Sequence, residues 1–318
     1  MKEMDMLKNL ARQLKLNIIL IKHGIEKMEN DERIVLKKSG RIFSWIKERK
    51  FLDNYAKIMH SIPILDSNCG TSLCEIKDPE DETCKYIKYE QDHETYIIPS
   101  SVNGSVILSG NLDFFKLELP GYLKNYHIKK GDIVVDAGAY HGLFALVVSK
   151  MIGENGKVIC LEPDNLNIKI LRKTMKINNC NNVIALENAI WSKDENLDFA
   201  ALGNQCSTLF EHQSNRSEKI PKNSIVKGVS LQSIMTQLNI KKIDFVKMDI
   251  EGAELEVIEG CLELLKTQNI NFAIASYHLR NGQKTCYKLE EMFKSAGYGA
   301  ITEYPEHLTT YGSKNLVI

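Results

Sequence analysis

Two rhythms of apolar residues divide the chain. Leu7, Leu10, Ala11, Leu14 and Ile18 recur at helical spacing, as do Leu52, Tyr55, Ile58, Met59 and Ile62. The spacing predicts a helical N-terminal extension over residues 1–65, which Pro63 would close because its ring blocks the next helical turn. Residues 66–125 are polar at first, with DPEDE in their middle, and then carry the strand-like runs TYIIP and SVILSG. They read as a linker with short strands leading into the core.

Over residues 126–318 the second rhythm takes hold. GDIVVDAGAYHG reads as a buried strand and a turn, and LFALVVSKMI as a helix stopped by Gly153. KVICLEP is a second strand, and LNIKILRKTMKIN a helix with Leu166, Ile170, Leu171 and Met175 on one side. NVIALENAIW, IDFVKMDIEG and NFAIASYH supply a third, fourth and fifth strand. Between the last two lies AELEVIEGCLELL, with Leu255, Ile258, Leu262 and Leu265 on one face. Strands alternating with helices predict an α/β domain: a Rossmann-like, mostly parallel sheet with helices on both faces.

In such sheets ligands sit beyond the C-terminal strand ends, where the strand order reverses. The first turn therefore names the ligand. A dinucleotide turn reads GxGxxG and takes a pyrophosphate. Here the order is Asp136, Ala137, Gly138, Ala139, Tyr140, His141, Gly142: an acid first, then GxxxG. An acid at that place repels phosphate and suits an ammonium or sulfonium, which points to S-adenosylmethionine. Glu162, followed by Pro163, ends the second strand, where a carboxylate can accept from both ribose hydroxyls. Asn188 and Ala189 end the third strand, at the place of an adenine edge.

VVDAGAYHG, ICLEPD, ENAIWS and above all VKMDIEGAELEVIEG resemble the FkbM family of class I S-adenosylmethionine-dependent methyltransferases. The D-x-EG-x-E string, Asp249, Glu251, Gly252 and Glu254, is the part most particular to that family. The resemblance implies a seven-stranded sheet ending in an antiparallel hairpin, which GYGAITEYPEHLTTYGSKNLVI fits, and methylation of a hydroxyl on a sugar, glycan or other small metabolite.

Methyl transfer to an alcohol needs a group that takes the acceptor's proton. Asp249 and Glu251 end the fourth strand and His278 the fifth. His278 is the first choice of base, since an imidazole titrates near neutral pH; Asp249 would contact cofactor or acceptor. Glu251 has two readings, substrate contact or favourable charge at the next helix's N-terminus. His141 and Tyr140 would line the cofactor turn. Two carboxylates and a histidine also suit a divalent ion, but no metal is expected. Cys69, Cys74 and Cys84 are too irregularly spaced for a zinc site.

Lys+Arg and Asp+Glu are both 41, so no basic excess favours nucleic acid. The N-P-P-Y or D-P-P-Y string of amino methylation on bases is missing too. The eight cysteines form no CxxC pair and several sit in apolar runs; no run reaches transmembrane length, and no signal core is seen. These point to a reduced, cytoplasmic protein. The rival readings are a methyltransferase of nucleic acid or protein, and a non-catalytic S-adenosylmethionine-binding protein.

Overall fold

Strands predominate in the described part of the first 112 residues. The structure is a computed structural model. It describes residues 114–200 and 224–316 continuously, with 208–209 and, earlier in the chain, Leu16, Leu20 and segments 25–29, 33–38, 41–46, 72–78, 84–91, 94–102 and 105–106. Two compact units result, Met1–Leu112 and Asp113–Ile318.

The first unit carries a seven-stranded sheet of strands in chain order. They are β1 (Glu26–Glu29), β2 (Arg33–Lys38), β3 (Arg41–Ile46), β4 (Ser72–Lys77), β5 (Lys85–Gln91), β6 (Glu94–Val102) and β7 (Ser105–Val106). Neighbours are antiparallel except β3 and β4. This corrects the helical reading where strands stand, between residues 26 and 46; the pattern from Leu7 to Ile18 lies outside the described residues. Leu16 and Leu20 are helical and buried, but 26–29, 33–38 and 41–46 are strand. Ile34 and Leu36 are buried two positions apart, the period of a strand and not of a helix. The pattern from Leu52 to Ile62 lies outside the described residues.

The second unit opens with a π-helical turn, Phe114–Glu118, and the short helix α1 (Leu119–Tyr122). Alternating elements follow: β8 (Ile133–Ala137), α2 (Leu143–Ile152), β9 (Lys157–Leu161), α3 (Asn165–Ile177) and β10 (Val183–Leu186). Next come β11 (Ala189–Ile190), β12 (Glu195–Ala200), β13 (Thr208–Leu209), β14 (Ser224–Val229) and α4 (Leu231–Gln237). The unit ends with β15 (Phe245–Met248), α5 (Glu254–Thr267), β16 (Asn271–Ala275), β17 (Leu279–Arg280), β18 (Gln283–Lys284), α6 (Thr285–Ser295), β19 (Gly299–Glu303) and β20 (Thr309–Ser313).

Its main sheet has seven strands in the order β10-β9-β8-β15-β16-β20-β19. The first five are parallel; β20 runs antiparallel to both β16 and β19. Val134, Val135 and Ala137 of β8 are fully buried, as are Val246 and Met248 of β15, because helices cover both faces. The order reverses between β8 and β15, which pair Phe245 with Val134 and Lys247 with Asp136. Ligand crevices open at that reversal.

Two local readings change. The third strand is two: β10 stops at Leu186, and Ala189–Ile190 leave the main sheet to pair with Gly228–Val229 in a four-stranded sheet, β11-β14-β12-β13. On α5 the buried stripe is Val257, Ile258, Cys261, Leu264 and Leu265, with Leu255 and Leu262 only partly covered. Cys261 thus packs as a small apolar residue.

Candidate active site

The turn after β8 is built from left-handed backbone. Gly138, Tyr140 and Gly142 have φ of 73°, 49° and 82°. Only glycine fits at 138, where a Cβ would lie 1.8 Å from the carbonyl oxygen of Asp249. The turn rests directly on the end of β15. Gly138 N and Ala139 N both donate to Leu161 O, at 3.0 and 3.1 Å, and Gly142 N donates to Ala139 O at 2.8 Å. Ala139 and His141 are buried. The His141 ring stacks on Tyr140, and burial pulls its pKa down to about 3, so it is a neutral imidazole.

Glu162 buttresses this turn. Its carboxylate accepts from Tyr140 N at 2.9 Å and Asp164 N at 3.0 Å. Burial raises its pKa to about 7. Pro163 follows, half-buried, and Asp164 caps α3 by accepting from Leu166 N and Asn167 N. Asn188 donates to Lys227 O at 3.1 Å, and Ala189 is buried in β11. These two residues therefore tie the four-stranded sheet to the end of β10, past the strand end where the sequence puts them.

Asp136 departs from the simple expectation. Its carboxylate is fully buried and is ion-paired with Lys247 Nζ at 3.1 Å. Burial raises its pKa, against the pull of the Lys247 ammonium. The cation that answers this acid is the protein's own.

Beyond β15 a polar cluster takes shape around Asp249. Its Oδ2 accepts from Tyr122 at 2.9 Å, and Tyr277 lies 3.4 Å from both oxygens. His278 Nε2 is 3.7 Å and His307 Nε2 3.9 Å away. Asp249 keeps 18% of its side chain exposed, so it faces an opening. His278 Nδ1 sits 3.0 Å from Glu254 Oε1. That same oxygen accepts from Ile250 N and Gly252 N, both at 3.2 Å, shaping the turn ahead of α5. Arg280 clamps this turn, donating to Gly252 O at 2.7 Å and pairing with Glu256 at 2.8 Å.

Two sequence expectations change here. Burial lowers the pKa of His278, but Glu254, Asp249 and Glu251 outweigh it and lift the pKa to about 9. At neutral pH the ring is an imidazolium, not a free base. Glu251 does not open the helix; it stands in the preceding turn with φ 59°, and the acids of the first helical turn are Glu254 and Glu256. The structure also adds residues the sequence reading left without a role. Glu254 stood in the quoted motif, and Lys247 was visible as a charge inside an apolar strand. Tyr122 and His307 carry no local signal. Asp249 further belongs to two groups whose ligand atoms lie within 4.8 Å of one another, one with Glu118 and His307, the other with Glu254 and His278.

The sheet order, the acid-then-glycine turn and the closing antiparallel hairpin define the class I, Rossmann-like methyltransferase fold. The Methyltransferase FkbM domain matches residues 136–299, and the chain belongs to that family. A relative from Beauveria bassiana, Methyltransferase 1, is 23% identical over 145 residues, 40% of this chain and 57% of its own length. The chain thus spans little over half of that relative. Among solved structures, a methyltransferase FkbM from Methylobacillus flagellatus is similar at TM-score 0.44 and 15% identity, over 64% of this chain and 53% of that one. An Aeropyrum pernix fibrillarin with bound S-adenosyl-L-methionine is similar at TM-score 0.41 and 10% identity, over 91% and 98%.

Proposed function

We propose that the protein is an O-methyltransferase that uses S-adenosylmethionine to methylate a hydroxyl on a sugar, glycan or other small metabolite. The observation that carries the oxygen specificity is the Asp249 carboxylate, part-exposed at the strand reversal and ringed by Tyr122, Tyr277, His278 and His307. The turn from Gly138 to Gly142 with Ala139, Tyr140 and His141, and Glu162 with Pro163, would hold the cofactor. Two features support the fit: the left-handed turn through Gly138, Tyr140 and Gly142, and the buried Glu162 carboxylate, which keeps acceptor capacity beyond the two amides it already takes. Asn188 and Ala189 would flank the base. When bound, S-adenosylmethionine supplies an electrophilic methyl group.

Asp249 takes the proton of the acceptor hydroxyl as the new bond forms. His278, as imidazolium, steadies that carboxylate and offsets the crowding of Glu251 and Glu254 beside it. Holding donor and acceptor in line supplies much of the acceleration. Asp136 acts from beneath the turn. The chain's even charge balance and missing N-P-P-Y string favour a small acceptor over nucleic acid. Among the described residues no helix is long and apolar enough to cross a membrane. The cysteine pattern favours the cytoplasm.

A screen of hydroxylated metabolites and glycans with methyl-labelled donor tests this reading. Asp249→Asn should lower the transfer rate by roughly 10²–10⁴-fold, the range for a positioned base. Methylated nitrogen in the product, or a near-normal rate in the variant, would refute it. Donor binding without transfer to any acceptor would favour the non-catalytic alternative.

A further inference from the structure

A lysine at a core position of a central strand needs a reason. Lys247 is the third residue of β15, between the fully buried Val246 and Met248, and its own side chain is 7% exposed. An ammonium taken from water persists there only if its donors are answered. Three groups answer it. Nζ lies 3.1 Å from Asp136 Oδ1, 2.8 Å from Gly138 O, and 5.4 Å from the centre of the Tyr122 ring.

We propose that Lys247 is a positioning residue for the donor site: its ammonium holds the Gly138 carbonyl and so sets the shape of the 138–142 turn. The proposal rests on the reading that this turn binds the methyl donor.

The peptide plane between Gly138 and Ala139 shows how. Its carbonyl is held by Lys247, and its N–H donates to Leu161 O at 3.1 Å. One plane is thus pinned at both ends, to β15 on one side and β9 on the other. The next amide, Tyr140 N, reaches Glu162 from a residue at φ 49°. Releasing the carbonyl lets the plane rotate and misplaces that amide and Glu162 together. Neutralising Asp136 alone would need one contact; an ammonium has three donors, and a second is spent on the turn. The third group ties in the acceptor side, since the Tyr122 hydroxyl donates to Asp249. Lys247 keeps its charge in this setting: burial lowers its pKa, but Asp136 and Asp249 raise it further.

The test compares S-adenosylhomocysteine affinity, by calorimetry, with melting temperature in Lys247→Met, Asp136→Asn and the double variant. Lys247→Met leaves Asp136 buried without its counter-ion, so it should melt well below wild type. The double variant removes both charges and should recover most of that loss. Its affinity should not recover: it should bind at least tenfold more weakly than Asp136→Asn alone, where Lys247 Nζ still donates to Gly138 O. Asp136→Asn with Lys247→Gln keeps an uncharged donor and should fall between the two. Equal affinity across Asp136→Asn and both double variants would overturn the proposal and leave Lys247 a counter-ion only. If the wild-type protein fails to bind S-adenosylhomocysteine, the donor assignment itself falls first, and this inference with it.

Discussion

Burial sets the chemistry of single residues here. Glu162 is 5% exposed and its pKa rises to about 7 from an ordinary 4.5. Between those values the folded protein holds a proton that the unfolded chain has released. Stability from this group is therefore full below about 4.5 and is lost as pH rises through about 7. Glu162→Gln should flatten that part of a denaturation-versus-pH curve and weaken S-adenosylhomocysteine binding by about 1.5–3 kcal/mol, the worth of hydrogen bonds to a charged group. Unchanged binding would remove Glu162 from the cofactor site. His278 shifts for the opposite reason, since neighbouring acids outweigh its burial and hold its proton to about 9. In the proposed mechanism Asp249 then works beside an imidazolium through neutral pH. The transfer rate should stay level up to about pH 9 and fall above it, and His278→Gln should lose that alkaline fall. A rate that instead rises through the His278 titration would return the base role to the imidazole.

At the scale of elements, the site depends on two turns held from outside. The turn after β15 carries Glu251 in left-handed backbone, which costs energy for a residue with a Cβ. Glu254 draws its amides together and Arg280 clips its last carbonyl to the β17–β18 ribbon. Because that ribbon follows His278, the clamp also fixes where the imidazolium stands. Arg280→Ala should cost about 1 kcal/mol of stability, the clamp being part-exposed. It should reduce the transfer rate more than this loss implies, because Asp249 and His278 drift apart. Thermal melts and turnover measured on one preparation check this, and a rate that tracks only the folded fraction would count against it.

For the molecule as a whole, the sheet's reversal gathers acids and histidines from distant segments, an arrangement that also suits metal. Glu118, Asp249 and His307 approach within ligand range, as do Asp249, Glu254 and His278. The first group has the Tyr122 hydroxyl between Asp249 and His307. In the second, Glu254 already accepts two amides, and His278 carries a proton that opposes a cation. Dialysis against a chelator should leave donor binding and transfer unchanged, and elemental analysis should find no stoichiometric divalent ion. A bound ion lost in Asp249→Ala would promote these side chains to ligands.

The parallel core, the closing hairpin and the glycine turn after β8 were legible in the chain, because buried strands, helical stripes and an acid-then-glycine turn are local patterns. The N-terminal strands were not. Helical spacing at both ends of residues 1–65 masked the alternation of Ile34 and Leu36 between them. Nor could local pattern say what a side chain faces. Asp136 reads as a ligand for a cation, yet strand pairing places it opposite Lys247. His278 reads as a neutral base, yet packing against Glu254 and Asp249 keeps it charged. Tyr122 and His307 reach Asp249 only because α1 and the β19–β20 connection converge on the end of β15. The sequence by itself determined the alternating elements of the parallel core and where the acid-then-glycine turn lies, since both follow from neighbours along the chain. Which charges meet, and so which group can take a proton, was decided by the tertiary structure, because burial and pairing are properties of distance in space.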